Sequence, residues 1–150
     1  MGCVGVRSDR HYRFAVSRRE LWAALTQVDR YREWWPWLRV FDGDAFAAGE
    51  RWRCVVKPQL PYTLEFLIAL DDVDEARSTH ARLSGDIEGW AELTLGDDGQ
   101  GSELRLRSDL SARSGPARWV GTLAPPLAAR GHDWVLDNGI RQFRAAAFDA

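Results

Sequence analysis

Lysine is almost missing from this chain of 150 residues: Lys57 is the only one among 20 basic residues. The arginines are scattered among acids through both halves, and the formal charge of −2 is close to balance. Such mixing marks a solvated face and excludes the basic stripe that nucleic-acid binding requires. Cysteine is scarce as well. Cys3 and Cys54 form no metal-ligand spacing and follow no secretory pattern, so a reduced, cytoplasmic setting is expected. No apolar run approaches the roughly 20 residues that cross a bilayer, so no membrane span is expected. His-x-His, Cys-x-x-Cys, His-Glu-x-x-His and a serine elbow are all absent. Gly96–Gly101 is glycine-rich but lies between two strand patterns with no helix after it, the wrong setting for a phosphate. No metal and no cofactor is therefore expected.

Tryptophan is the residue in excess, with eight copies. Rings of that size carry a large apolar area, and several must be at least partly buried. Trp34, Trp35 and Trp37 crowd around Pro36, either as a lid over a cavity or as plain core. The length suits one domain spanning 1–150, able to bury roughly 70% of its unfolded surface, and no repeat or low-complexity segment divides it.

The periodicity predicts a strand over His11–Val16, with Tyr12, Phe14 and Val16 on one face. Ser17 and Glu20 then form a capping box, and Leu21, Trp22, Leu25 and Val28 follow at helical spacing, which predicts a short helix over Ser17–Val28. Pro36 biases Trp35 away from helical geometry, so the chain is expected to turn there. Strand patterns follow over Arg51–Lys57, Tyr62–Leu70, Arg77–Gly85, Gly89–Leu95 and Glu103–Leu110. Their turn-length gaps favour antiparallel pairing. Pro116–Leu123 reads as a short helix, and a longer one is expected over Leu127–Phe148, with His132, Leu136, Gly139, Ile140 and Phe143 on one stripe. Asp133, Asp137, Arg141 and Arg144 are expected on its outer stripe, with Asp137 and Arg141 paired.

A sheet with one apolar face and a helix with one apolar stripe bury both when the sheet wraps around the helix. The expected fold is α+β: a curved antiparallel sheet of about six or seven strands around a long C-terminal helix, with a short helix after the first strand. A sheet bent that far leaves a concave apolar space suited to a small molecule.

The order of elements, Tyr31-Arg-Glu-Trp-Trp-Pro-Trp37, Gly85-Asp-Ile-Glu-Gly89 and Leu123-Ala-Pro-Pro-Leu-Ala-Ala-Arg-Gly-His-Asp-Trp-Val135 resemble the START-related (SRPBCC) superfamily, in its polyketide cyclase/dehydrase-like branch. The resemblance runs from about His11 to Phe143 and implies a helix-grip fold. It is poor in functional detail, since that superfamily includes lipid carriers, cyclases, aromatases and hormone receptors.

The expected cavity wall comprises Phe14, Trp52, Cys54, Leu64, Phe66, Leu83, Leu93, Leu104, Leu106, Leu136, Ile140 and Phe143, with Trp34, Trp35 and Trp37 at its mouth. Tyr12, Tyr62, Thr79 and Ser108 share the concave faces as polar contacts. Cys54 is expected as a small wall residue, because alternation sends Arg53 and Lys57 to the opposite face. His132 is the one titratable group on the inward stripe, as a contact for a ligand's polar tip or as a proton shuttle. The first reading is a binding protein for a hydrophobic lipid, polyketide or aromatic metabolite. The alternative is a cyclase, aromatase or dehydratase that uses His132, and a third is a protein-interaction module built on an exposed aromatic cluster. An edge strand of the open sheet offers a surface for a homodimer.

Overall fold

The computed structural model describes residues 5–57, 63–112 and 125–148, the side chains of 125–131 excepted. Tyr62, Cys3 and the helix expected over Pro116–Leu123 lie outside these residues.

β1 (Gly5–Phe14) opens the chain, six residues earlier than the alternation alone predicts. Ser17 caps α1 (Arg18–Leu25) as expected, its hydroxyl oxygen accepting from the Glu20 backbone N–H at 3.2 Å. Leu21, Trp22, Ala24 and Leu25 form the buried side of this helix. α1 stops short of Val28, and the Thr26 hydroxyl donates back to the Trp22 carbonyl at 3.0 Å. The chain tightens into a 3-10 turn (Val28–Arg30) and a single helical turn, α2 (Tyr31–Trp34). Trp35, ahead of Pro36, is extended at φ −122 and ψ 90, as the proline requires.

Six further strands follow: β2 (Leu38–Asp42), β3 (Arg51–Val56), β4 (Leu64–Asp74), β5 (Ser78–Gly85), β6 (Ile87–Asp98) and β7 (Gly101–Ala112). β2 is an addition to the strands read from periodicity. All pairings are antiparallel, and the seven strands run in the order β1-β7-β6-β5-β4-β3-β2. Consecutive strands are neighbours except that β1 crosses over to β7, from Gly5 opposite Ser111 to Phe14 opposite Ser102. The glycine-rich turn is tighter than expected: Asp98 pairs with Gly101, leaving Gly99 at φ +60 and Gln100 as the loop. Gly89 permits a close approach of β6 to β7, since its φ is +145 and a Cβ there would lie 1.9 Å from the Asp109 carbonyl oxygen.

Alternation turns Trp52, Cys54, Phe66, Leu70, Thr79, Ala81, Leu95 and Leu104 inward, where they are buried. The sheet curls into a half-barrel around α3 (Pro125–Phe148). α3 starts on its two prolines, tolerated because first-turn N–H groups lack intrahelical partners anyway. Phe143, at 0% exposure, anchors it through edge-on ring contacts with Phe14, Trp34 and Phe148 at 5.9, 5.1 and 5.6 Å.

The outer stripe of α3 differs from expectation. Asp137 turns to β1, where it accepts from the Tyr12 hydroxyl at 2.9 Å and pairs with Arg10. Arg141 bonds Asn138 instead of Asp137. Arg144 donates to the Arg13 carbonyl at 2.5 Å and lies 4.6 Å from the Phe14 ring centre. The N-terminal extension of β1 carries Arg10 alongside the helix, next to Tyr12 on the same face. Ion pairs such as Arg7–Asp109, Arg105–Asp9 and Arg82–Asp71 cover the far side of the sheet. Exposed pairs of this kind contribute about 0–1 kcal/mol each.

Candidate functional site

Between the inner face of the sheet and α3 lies a cavity of about 430 Å³. Of the residues expected to form its wall, Trp52, Cys54, Leu64, Phe66, Leu83 and Leu93 line it from β3 to β6. Leu104, Leu106 and Ser108 line it from β7, and His132, Leu136, Ile140 and Phe143 from α3. Tyr12, Phe14 and Trp34 do not. Tyr12 is spent on Asp137, whereas Phe14 and Trp34 pack into the core against Phe143. Periodicity missed Tyr31, Leu38 and Phe41, which line the cavity from α2 and β2, and Phe46 on the loop after β2. The apolar Leu38, Val40 and Phe41 were the available signal for that strand, but the register shift between Leu38 and Val40, which lets both Leu38 and Phe41 reach the cavity, breaks simple alternation.

The tryptophan cluster divides. Trp34 is 4% exposed and belongs to the core. Trp35 and Trp37 line the cavity, stacked on each other at 5.7 Å and 26°. Their indole N–H groups are fixed to α3, Trp35 donating to the Gly139 carbonyl and Trp37 to Gln142 Oε1, each at 2.8 Å. Gly139 is a close seat for them: a Cβ there would meet Trp37 Cζ2 at 3.3 Å. The cluster therefore turns its indole rings toward the core, the cavity and α3. Leu67 and Trp90, at 41% and 36% exposure, are the large apolar residues most open to solvent among those described.

Polar groups around the wall are mostly engaged. The Thr79 hydroxyl donates to the Asp72 carbonyl at 2.7 Å, and the Tyr31 hydroxyl to the Leu25 carbonyl at 2.5 Å. Glu92 and Arg107 pair with each other. Burial pushes the Cys54 thiol up to about 12, so it is a protonated wall residue and no nucleophile. Ser108 and His132 stand apart. Ser108 Oγ and His132 Nε2 are 3.4 Å apart, longer than a good hydrogen bond, and His132 Nδ1 is buried without a partner among the described residues. Burial holds the His132 imidazole below its ordinary value of 6.5, against the pull of Asp133 and with the help of Arg10. It is neutral near pH 7. Among the described residues no three His, Cys, Asp or Glu side chains gather to hold a metal ion.

No family model matches the chain, and no curated protein matches it by sequence. Solved structures do match in shape. A START superfamily protein from Mycobacterium smegmatis superimposes with a TM-score of 0.74 at 13% identity, over 95% of this chain and 97% of that one. The Zhui aromatase/cyclase from a Streptomyces species gives 0.70 at 17% identity, over 97% and 93%. Norcoclaurine synthase from Thalictrum flavum, solved with dopamine and hydroxybenzaldehyde, gives 0.69 at 12% identity, over 98% and 88%. The chain has the helix-grip fold of the START-related proteins. Its likeness to the polyketide cyclase-like branch, at these identities, is a likeness of fold.

Proposed function

We propose that this chain, acting as one domain over 1–150, binds a hydrophobic small molecule, a lipid, polyketide or aromatic metabolite, in the cavity between the sheet and α3. The observation that carries the reading is a room of about 430 Å³ walled by aliphatic and aromatic side chains. That volume falls within the roughly 300–1,000 Å³ typical of small-molecule pockets. Apolar ligand surface buried there contributes roughly 25 cal/mol per Å². No described helix is long and apolar enough to cross a membrane, and a cytoplasmic site of action is part of the proposal.

The test is titration with a fluorescent apolar probe. Wild-type protein should retain it, and Ala91→Trp, which fills the room from β6, should not. Failure of the wild type to hold any apolar probe, or full retention by Ala91→Trp, would sink the reading. Native mass spectrometry of protein purified without added ligand would weigh any co-purified occupant and report whether the chain is a monomer or a homodimer.

A second reading has one observation in its favour: a neutral imidazole, His132, on the cavity wall beside Ser108. In an aromatase, cyclase or dehydratase the wall would hold a reactive chain in a folded pose and His132 would move a proton. The Zhui aromatase/cyclase is a structural neighbour of that kind. Unchanged turnover of a genuine substrate by His132→Ala would remove this mechanism.

A further inference from the structure

The wall of the cavity is apolar almost throughout, yet one corner of it is not. Ser108 on β7 and His132 on α3 meet there at 3.4 Å, too far apart to satisfy each other fully. Behind that corner, Ser8 on β1 pairs in register with Ser108 without itself lining the cavity, and its hydroxyl is buried with no partner among the described residues. Ser111, farther along β7, also lines the cavity, and most other polar groups near the wall are already used. The Trp52 indole donates to the Ala45 carbonyl at 2.9 Å, and the indoles of Trp35 and Trp37 and the hydroxyls of Thr79 and Tyr31 have the partners given above. The charged pair Glu92 and Arg107 is closed on itself. Burial disfavours the charged, doubly protonated form of His132.

From this we infer that the compound held in the cavity is uncharged and carries an oxygen, hydroxyl or carbonyl, that docks between Ser108 and His132. The inference rests on the binding reading of the cavity. A ligand oxygen at that point accepts from the Ser108 hydroxyl, and His132 Nε2 accepts from or donates to it according to tautomer, so both kinds of oxygen fit. A pure hydrocarbon leaves the corner desolvated and unpaired. Among the described residues, the cation near that corner is Arg10, already paired with Asp137, so a carboxylate placed there has its charge buried with no uncommitted described cation to compensate it.

The experiment is competition against the fluorescent apolar probe by naphthalene, a naphthol, an acetonaphthone and a naphthoate. Wild-type protein should prefer the naphthol or the acetonaphthone to naphthalene by about fivefold, the worth of one net hydrogen bond. Ser108→Ala and, independently, His132→Phe should erase that preference, and the naphthoate should gain nothing from Ser108. A preference that survives both variants overturns the inference, as does a naphthoate that binds most tightly and loses affinity in Ser108→Ala. Equal binding of all four in the wild type overturns the inference while leaving the cavity a binding site. Failure of the wild type to hold the probe or any of the four removes the binding reading, and the inference with it.

Discussion

Ala91 offers a test of the cavity in which the sign of the effect is decisive. It lies on β6 between Ala81 of β5 and Ser108 of β7, lines the cavity, and is only half-buried although it stands on the inner face. Ala91→Leu adds three carbons at that point. Into empty room, each methylene withdrawn from water contributes about 0.8 kcal/mol, or about 2.4 kcal/mol in total. Ordering the leucine side chain costs about 0.5–1 kcal/mol, so the net gain is about 1.5–2 kcal/mol. In a filled core the same change would instead cost about 1–3 kcal/mol. For a chain of this length 1 kcal/mol moves the melting temperature by about 2–4 °C, so ligand-free Ala91→Leu should melt about 3–8 °C above wild type. Thermal unfolding followed by circular dichroism measures this, with urea unfolding as a check that the slope is unchanged. The protein must be stripped of any bound compound first, because a ligand adds its own stabilisation. A lower melting temperature would mean that side chains already occupy the space, and the volume on which the functional reading depends would not exist.

Phe143→Ala should destabilise by about 3–5 kcal/mol in urea titrations, because it removes the ring on which Phe14, Trp34 and Phe148 converge. Gly89→Ala should cost about 3 kcal/mol or prevent folding, since the β6 and β7 backbones must separate to admit a methyl group; a wild-type urea midpoint would refute the close approach. His132 should make stability pH-dependent: burial keeps its folded value below 6.5, so the unfolded chain binds the proton first as the pH drops. Stability should therefore decline from about pH 6.5 downward until the folded imidazole is also protonated, and His132→Phe should flatten that part of the urea-midpoint profile. Asp137→Ala should loosen the tie between β1 and α3 by about 1 kcal/mol, a modest figure because the carboxylate is half exposed, and amide exchange in β1 should accelerate.

The middle of the sheet was legible because its signal is local. In β3 to β7 one face of each strand is largely apolar, and alternation alone assigns Trp52, Phe66, Leu83, Leu93 and Leu106 to the wall. β1 was legible only in part. Its first half carries Ser8 and Arg10 inward, and Arg10 is satisfied by Asp137 from the far end of the chain, a partner no local pattern announces. The same contact displaced the expected Asp137 and Arg141 pair on α3. β2 was obscured by its brevity and by the aromatic stretch before it. The division of the tryptophans depended on acceptors more than a hundred residues away, Gly139 and Gln142, so local spacing could not assign lid or core.

The crossover of β1 to β7 has a consequence for how the chain is made. Strands β2 to β7 can zip together in the order in which they leave the ribosome, but β1 must wait for Gly101–Ala112 to emerge before it finds its neighbour. At roughly 5–20 residues per second that delay is several seconds or more, with one unpaired strand held in reserve during translation. The charges of β1, Arg7, Asp9, Arg10 and Arg13, suit that interval, since a charged strand is a poor template for pairing with other nascent chains.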